Sequence, residues 1–402
     1  MYEFYPYYTN DGSVGLYSKE VGDIYHSTYG ALTEAYEKFV LPSNLNEILK
    51  NKKEIKLLDI CFGIGYNTKV FINEIVKNYY NDTIGSDNVI YNDKIYTNNN
   101  FGKIYIHAID TDEILSKLSP FFITNKKFFK NDTLPFEQEK ISKMLSKKIN
   151  KSYKLEKETK YLFFELIKDK LDDSILEYLT DKKYSKYFDK DIANLMHLYL
   201  SESDIYTPCN RFMLFLHNIY YKYISTSHKN ALKYLKLHNI DFQLEINDAR
   251  RSVKNDSEVY DLIFLDAFTP VKCPCLWTID FFKELYNRLD EDGMLLTYSN
   301  SALVRNALIN AGFYVGKIYS DLYKKYSGTI AVKNKTLIKN ELSEFDLGLM
   351  KTKAGIFYRD ENLSLDNEAI ISAHNLEVKN SNLISSSKFI KQYNRECKDE
   401  KI

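Results

Sequence analysis

Apolar positions fall into short uninterrupted runs, which predict buried strands, and runs spaced by three and four, which predict helices. Leu57-Leu58-Asp59-Ile60-Cys61-Phe62 is the first short run, and it ends in Gly63-Ile64-Gly65. Thr68 to Val76 follows with helical spacing, so a strand, a glycine turn and a helix stand in succession. Lys103 to Ile109 predicts a second strand ending at Asp110, with a helix over 113–122. Phe242 to Ile246 ends at Asn247-Asp248, and Leu262 to Leu265 ends at Asp266. Asp292-Gly293 turns into a strand over Met294 to Tyr298, and Phe313 to Ile318 begins another. Helices are predicted at Ala31–Leu41, Ile279–Leu289 and Ser301–Ala311, the last closed by Gly312. Strands alternating with helices predict an α/β fold, a mostly parallel sheet with helices on both faces.

Three stretches depart from that alternation. Residues 1–50 read as an aromatic-rich, irregular lead-in followed by a helix, and 80–100 as a polar loop. From 125 to 235 the chain is dense in Lys, Tyr, Leu and Phe, and no glycine occurs between Gly102 and Gly293. Tight-turned β structure is disfavoured there, so this segment reads as a long helical insertion. Beyond 365 the chain is polar without strong periodicity. The expected organisation is a lead-in over 1–50, one α/β domain from 51–124 and 236–365, the insertion at 125–235, and a polar tail at 366–402.

Composition narrows the classes. Apolar residues make up 44% and charged residues 27% of the 402, as in a soluble packed domain. No apolar run reaches the roughly 18 residues of a membrane span, and Met1-Tyr2-Glu3-Phe4 lacks the basic start of a secretory signal. The five cysteines, Cys61, Cys209, Cys273, Cys275 and Cys397, are scattered and odd in number. They argue against a disulfide framework and for a reducing, cytoplasmic setting. Net charge is zero, which gives no global support for polyanion binding and does not exclude a local basic patch.

Four constellations carry candidate chemistry. Around Gly63 and Gly65, with Asn67 behind them, backbone N–H groups can approach an anionic ligand at a helix N-terminus. A third glycine of dinucleotide spacing is missing, since position 68 is Thr. Asp110, at the next strand end, is placed to accept two ribose hydroxyls, while Asp112 suits a helix cap. Asp248 and the backbone N–H of Ala249 could read an adenine edge, although most such tetrapeptides are turns. Asp266 ends a buried strand and opens Asp266-Ala267-Phe268-Thr269-Pro270, followed by Cys273-Pro274-Cys275 and Trp277, the only tryptophan. The plainer readings are a capping Asp and a core Trp. Cys273 and Cys275 lack a second pair at zinc spacing, so no metal is expected and they read as packing residues.

Taken together these residues resemble the methyltransferase domain of the MnmC family, which makes 5-methylaminomethyl-2-thiouridine at the tRNA wobble position. The likeness begins at Ser18 to Leu41, with Gly22-Asp23-Ile24-Tyr25-His26-Ser27 and Gly30 to Glu34. It continues through the glycine turn, similar to Gly-Phe-Gly-Thr-Gly-x-Asn, and is most specific at Asp266 to Thr278. Ala302 to Phe313 and Ala354-Gly355-Ile356-Phe357-Tyr358-Arg359-Asp360 extend it. Residues 15–110 and 240–365 are covered; the insertion is not. Cys61 stands where the family usually has glycine, Ile64 where it has Thr, and Phe357 where proline is common. No counterpart of the family's fused FAD-dependent oxidase domain is visible in this sequence.

The resemblance implies a class I, Rossmann-like methyltransferase that uses S-adenosylmethionine, bound by Gly63, Gly65, Asn67, Asp110, Asp248 and Ala249. It implies Asp266 as the catalytic carboxylate toward a tRNA aminomethyl-uridine in the anticodon region. Tyr25, Glu34, Phe268, Trp277, Arg305, Tyr358 and Arg359 are the expected substrate-binding residues, with Tyr25, Trp277 and Tyr358 enclosing the unstacked base. Arg250, Arg251, Arg305, Lys324, Lys325 and Arg359 are expected on the tRNA backbone, against the plainer reading of solvated surface charge. The alternatives are a small-molecule amine methyltransferase on the same scaffold, and a catalytically silent tRNA- or protein-binding module.

Overall fold

A computed structural model describes residues 3–19, 21–26, 28–85, 103–124, 153–203, 226–238 and 240–399. Ser27, most of the predicted polar loop at 80–100, and the insertion segments around Pro135 and Cys209 lie outside the described residues. The chain divides into two compact units. The first takes residues 1–36, 44–55 and 62–246, and the second 37–43, 56–61 and 247–402.

Seven strands form the larger sheet: β4 (Glu54–Ile60), β5 (Lys103–Asp110), β6 (Ile240–Ile246), β7 (Tyr260–Leu265), β8 (Leu289–Thr297), β9 (Tyr314–Ser320) and β10 (Lys325–Val332). Their order is β6-β5-β4-β7-β8-β10-β9. The pairs β5/β6, β4/β7 and β7/β8 are parallel, while β8/β10 and β10/β9 are antiparallel. This is the mostly parallel sheet, flanked by helices, that the alternation predicts. Every residue of β7 is buried, as expected of a strand covered on both faces.

In the first unit, the irregular lead-in expected over 1–50 is instead a three-stranded antiparallel sheet, β1 (Tyr5–Tyr8), β2 (Val14–Ser18) and β3 (Asp23–Ile24). All four residues of β1 are buried, so the strand shows no period of two in its sequence. Asp11 builds the connecting turn, accepting from Ser13 N at 3.0 Å and Thr9 Oγ1 at 2.8 Å. Its other oxygen accepts from Thr33 N at 2.8 Å, tying the turn to the helix Ala31–Ala35. Helix Tyr66–Gly85 buries Val70, Phe71, Ile72, Ile75 and Val76. Between β5 and β6 the described residues hold helices Lys157–Ile167, Lys190–Ser203 and Thr226–His238. Asn73 Oδ1 accepts from Thr159 Oγ1 at 2.8 Å, fastening the first of these to helix Tyr66–Gly85.

In the second unit, helices Ala249–Asn255, Ile279–Arg288 and Ala302–Asn310 follow the strands. The polar stretch after 365, read as lacking periodicity, forms two helices, Asn367–Asn380 and Ser386–Asp399. Asp366 caps the first by accepting from Ala369 N at 2.7 Å. Phe389 and Tyr393 of the second pack on Phe345 at 5.9 and 5.2 Å. Ser386–Asp399 is amphipathic, with Phe389 and Tyr393 four residues apart on one face, whereas the apolar residues of Asn367–Asn380 define only a weak face. Among the described residues no helix is long and apolar enough to cross a membrane.

Candidate active site

The first unit builds the glycine turn. Gly63 and Gly65 take φ of 55° and 73°, in the left-handed region that favours glycine. A Cβ on Gly65 would meet the Phe62 and Phe163 rings at 2.7 and 2.8 Å, so the helix Tyr66–Gly85 can start there only from a glycine. Phe62 N donates to Ile109 O at 3.1 Å and Gly63 N to Asp110 Oδ2 at 2.6 Å, joining the turn to the end of β5. Asp110 Oδ1 accepts from Asp112 N at 2.8 Å, while Asp112 caps the next helix through Leu115 N, as its position predicts. Burial, opposed by these backbone donors, raises the half-buried Asp110 carboxyl to about 6. The Thr111 backbone N–H favours the same carboxylate, and of its roughly four lone-pair sites three backbone donors leave capacity for a ribose hydroxyl.

Sequence reading missed Lys69. Its side chain is buried in helix Tyr66–Gly85, and Nζ donates to Ile64 O at 3.0 Å and Ser119 O at 2.6 Å. It holds the middle of the glycine turn from beneath. Burial pushes its ammonium down to about 7. A lysine at the second turn of a helix opening a glycine loop was the available signal, but only packing reveals that it points inward. Asn67 is buried beside it in sequence. Glu34 is buried and Tyr25 half-buried, with Tyr25 N donating to Leu16 O at 2.9 Å.

The second unit holds the remaining candidates. Cys61 has φ 64°, in the left-handed region that favours glycine, and a non-glycine residue there costs on the order of 1 kcal/mol. Asp266 is half-buried at the end of β7, and its N–H donates to Ile60 O at 3.2 Å. Two aromatic side chains fix the backbone just after it. Tyr298 Oη donates to Ala267 O at 2.9 Å, and Trp277 Nε1 donates to Phe268 O at 2.8 Å. Trp277 is fully buried, edge-on to Phe282 and Tyr298. The expectation that it stacks on a base is therefore corrected: Trp277 is a core residue that holds the Asp266 loop. Phe268 is half-buried. Tyr298 was not anticipated, though its place at the carboxyl end of β8 could have marked it.

Three other expectations are corrected by burial. Arg305 is buried, and its guanidinium donates to Thr329 Oγ1 at 3.0 Å, Asp346 Oδ1 at 2.9 Å and Asn300 Oδ1 at 2.9 Å. With those donors engaged internally, it does not face a phosphate. Arg250 is likewise enclosed, bonding Asp360 at 2.7 Å and Asp248 at 2.7 Å. Tyr358 is buried against His374, 4.6 Å between ring centroids, so it is no open stacking platform. Arg359 is exposed, over the Phe357 ring at 4.8 Å, and Arg251, Lys324 and Lys325 are exposed as well.

Asp248 caps the helix Ala249–Asn255, accepting from Arg250 N at 2.9 Å, and Ala249 is buried behind it. Burial raises the Asp248 carboxyl, but Arg250 outweighs it and holds the group below its usual range. The capping role is the one the geometry fills. No cluster of His, Cys, Asp or Glu suited to a metal occurs among the described residues.

Residues 211–334 match a family model described as S-adenosyl-L-methionine-dependent methyltransferase. An uncharacterized protein of Methanocaldococcus jannaschii, MJ0670, is 25% identical over 364 residues, covering 90% of this chain and 69% of that one. The tRNA 5-methylaminomethyl-2-thiouridine biosynthesis bifunctional protein MnmC of Burkholderia vietnamiensis is 33% identical over 88 residues, 20% of this chain and 14% of that protein. The chain thus matches only a small part of that bifunctional relative. The crystal structure of MnmC2 from Aquifex aeolicus superposes with a TM-score of 0.54 at 22% identity, covering 95% of this chain and 87% of that one. The dependence that the family model describes makes S-adenosylmethionine the cofactor. The chain is an S-adenosyl-L-methionine-dependent methyltransferase that resembles the methyltransferase domain of MnmC.

Proposed function

We propose that the chain methylates the amino nitrogen of 5-aminomethyl-(2-thio)uridine at the wobble position of tRNA. The observation that carries this reading is the Asp266 loop. A carboxylate ends a fully buried strand and is followed by two carbonyls tied down by Trp277 and Tyr298. Rigid placement matters here because methyl transfer is an in-line displacement governed mainly by positioning. The likeness to MnmC supplies the substrate class.

S-adenosylmethionine, when bound, supplies an electrophilic methyl group. The Gly63–Gly65 turn and Asp110 are its proposed holders. An alkylammonium titrates near 10, so at neutral pH the acceptor amine is mostly protonated and cannot attack. Asp266 Oδ accepts a hydrogen bond from that amine, orients its lone pair and takes up or relays the proton. Of the basic residues expected on the tRNA backbone, Arg251, Lys324, Lys325 and Arg359 remain exposed for that contact. With Trp277 and Tyr358 buried, Tyr25 and Phe268 are the remaining candidates to meet the base.

The test is incubation with S-adenosylmethionine and tRNA bearing 5-aminomethyl-uridine, followed by mass spectrometry of the nucleosides. A gain of one methyl group on that nucleoside is expected. Methylation of free amines with no transfer to tRNA would instead favour a small-molecule enzyme, and absence of cofactor binding a silent module.

A further inference from the structure

The loop between Asp266 and Trp277 carries a pair of thiols whose chemistry the methyl transfer does not use. Cys273 and Cys275 flank Pro274 at the start of the helical turn Pro274–Trp277, and their sulfurs lie 3.6 Å apart. Both are half-buried. Two residues of chain span at most roughly 7 Å, close to the Cα separation that disulfides tolerate. We propose that Cys273 and Cys275 are a redox-active dithiol, which a low-molecular-weight disulfide oxidises to an intraloop disulfide.

The surroundings favour Cys275 as the attacking sulfur. The Cys273 thiol donates toward it, burial opposes its ionisation, and the Arg250 guanidinium favours it, so its pKa lies below the usual thiol range. Asp248, facing the same sulfur, works against ionisation. Cys273 is pushed up, first by its bond to Cys275 and then by burial, with Cys61 adding to the effect. Both shifts make Cys275 the more acidic thiol of the pair.

The exchange balances in two steps. The Cys275 thiolate attacks one sulfur of the reagent disulfide, its S–S bond breaks, and one thiolate leaves. The Cys273 sulfur, losing its proton to solvent, then attacks Cys275, and the second reagent thiolate leaves. The protein loses two hydrogens and two electrons, and the reagent disulfide is reduced to two thiols. Closure draws the sulfurs from 3.6 Å to about 2.05 Å, within a segment whose Cys273 N and Lys272 N both donate to Thr269 O.

The experiment equilibrates the full chain with glutathione buffers from fully reduced to fully oxidised, followed by acid quench, alkylation and tryptic mapping. Cleavage after Lys272 and Lys283 places both cysteines in one peptide. That peptide is expected to become two hydrogens lighter and resistant to alkylation, with full reversal by dithiothreitol. Cys273→Ser is expected to arrest at a glutathione adduct on Cys275, and Cys275→Ser to give no intraloop link. If the wild-type peptide stays fully alkylatable at the most oxidising ratio, carries only glutathione adducts, or is linked to Cys61, the proposal is overturned. The wild-type map decides the matter even if a serine variant fails to fold.

Discussion

Buried charges around the glycine turn and those of the second unit are handled in opposite ways. In the second unit Arg250 meets Asp248 and Asp360, and Arg305 and Lys317 share Asp346, whose carboxyl falls to about 2 despite burial. Around the glycine turn of the first unit, Asp110 accepts from the backbone N–H groups of Gly63 and Asp112, and Lys69 donates to the carbonyls of Ile64 and Ser119. Their ionisation shifts toward neutrality, Asp110 up and Lys69 down. Cations matched by carboxylates serve as scaffolding, whereas groups left to backbone dipoles retain capacity for a ligand. This distinction separates Arg250 and Arg305 from the residues proposed to hold the cofactor.

Four measurements bear on the contrast. The largest effect is expected at Asp266. Asp266→Asn should lower turnover by at least about 10²-fold with an unchanged denaturation midpoint; wild-type turnover would remove it from the chemistry. Next comes Arg305→Met, which breaks a buried pair and should cost roughly 3 kcal/mol in urea unfolding while leaving cofactor affinity intact. A stable variant with weakened tRNA binding would reverse the assignment of Arg305 to the scaffold.

Asp110→Asn should weaken S-adenosylmethionine binding roughly tenfold by calorimetry, the worth of one hydrogen bond to a charged group. Its folded carboxyl titrates at about 6 against an ordinary 3.8. Unfolding therefore releases a proton between those values, and stability falls as pH rises through the window. The asparagine variant should lose that dependence, and wild-type cofactor affinity should decline below about pH 6.

The smallest effect is expected at Lys69, where Lys69→Met should change stability at neutral pH by less than about 1 kcal/mol, because a desolvated charge is removed along with its bonds. The unfolded lysine stays protonated to about 10.4, the folded one only to about 7. Unfolding takes up a proton between those values, so wild-type stability rises with pH there, and the methionine variant should show a flat profile. A steep profile in the variant would show that another group is responsible.

Much of the fold was legible because burial on both faces leaves continuous apolar runs, as at Leu262 to Leu265, and because the turn needs glycine at 63 and 65. The first three strands and the final two helices were not. In β1 burial of every side chain erases the alternation, and in Asn367–Asn380 the apolar residues define only a weak face.

By itself, the sequence determined where five of the parallel-sheet strands and the strand at Phe313 fall along the chain, the glycine turn, and the aspartates at 110 and 266, since backbone conformation and strand ends are local properties. Only the tertiary structure decided which side chains face inward. It turned Trp277, Tyr358 and Arg305 from surface candidates into internal supports, and brought Lys69 under the turn. It also set the Cys273 and Cys275 sulfurs 3.6 Å apart on a half-exposed loop. Burial depends on what packs against a residue from distant parts of the chain, and no local pattern encodes that.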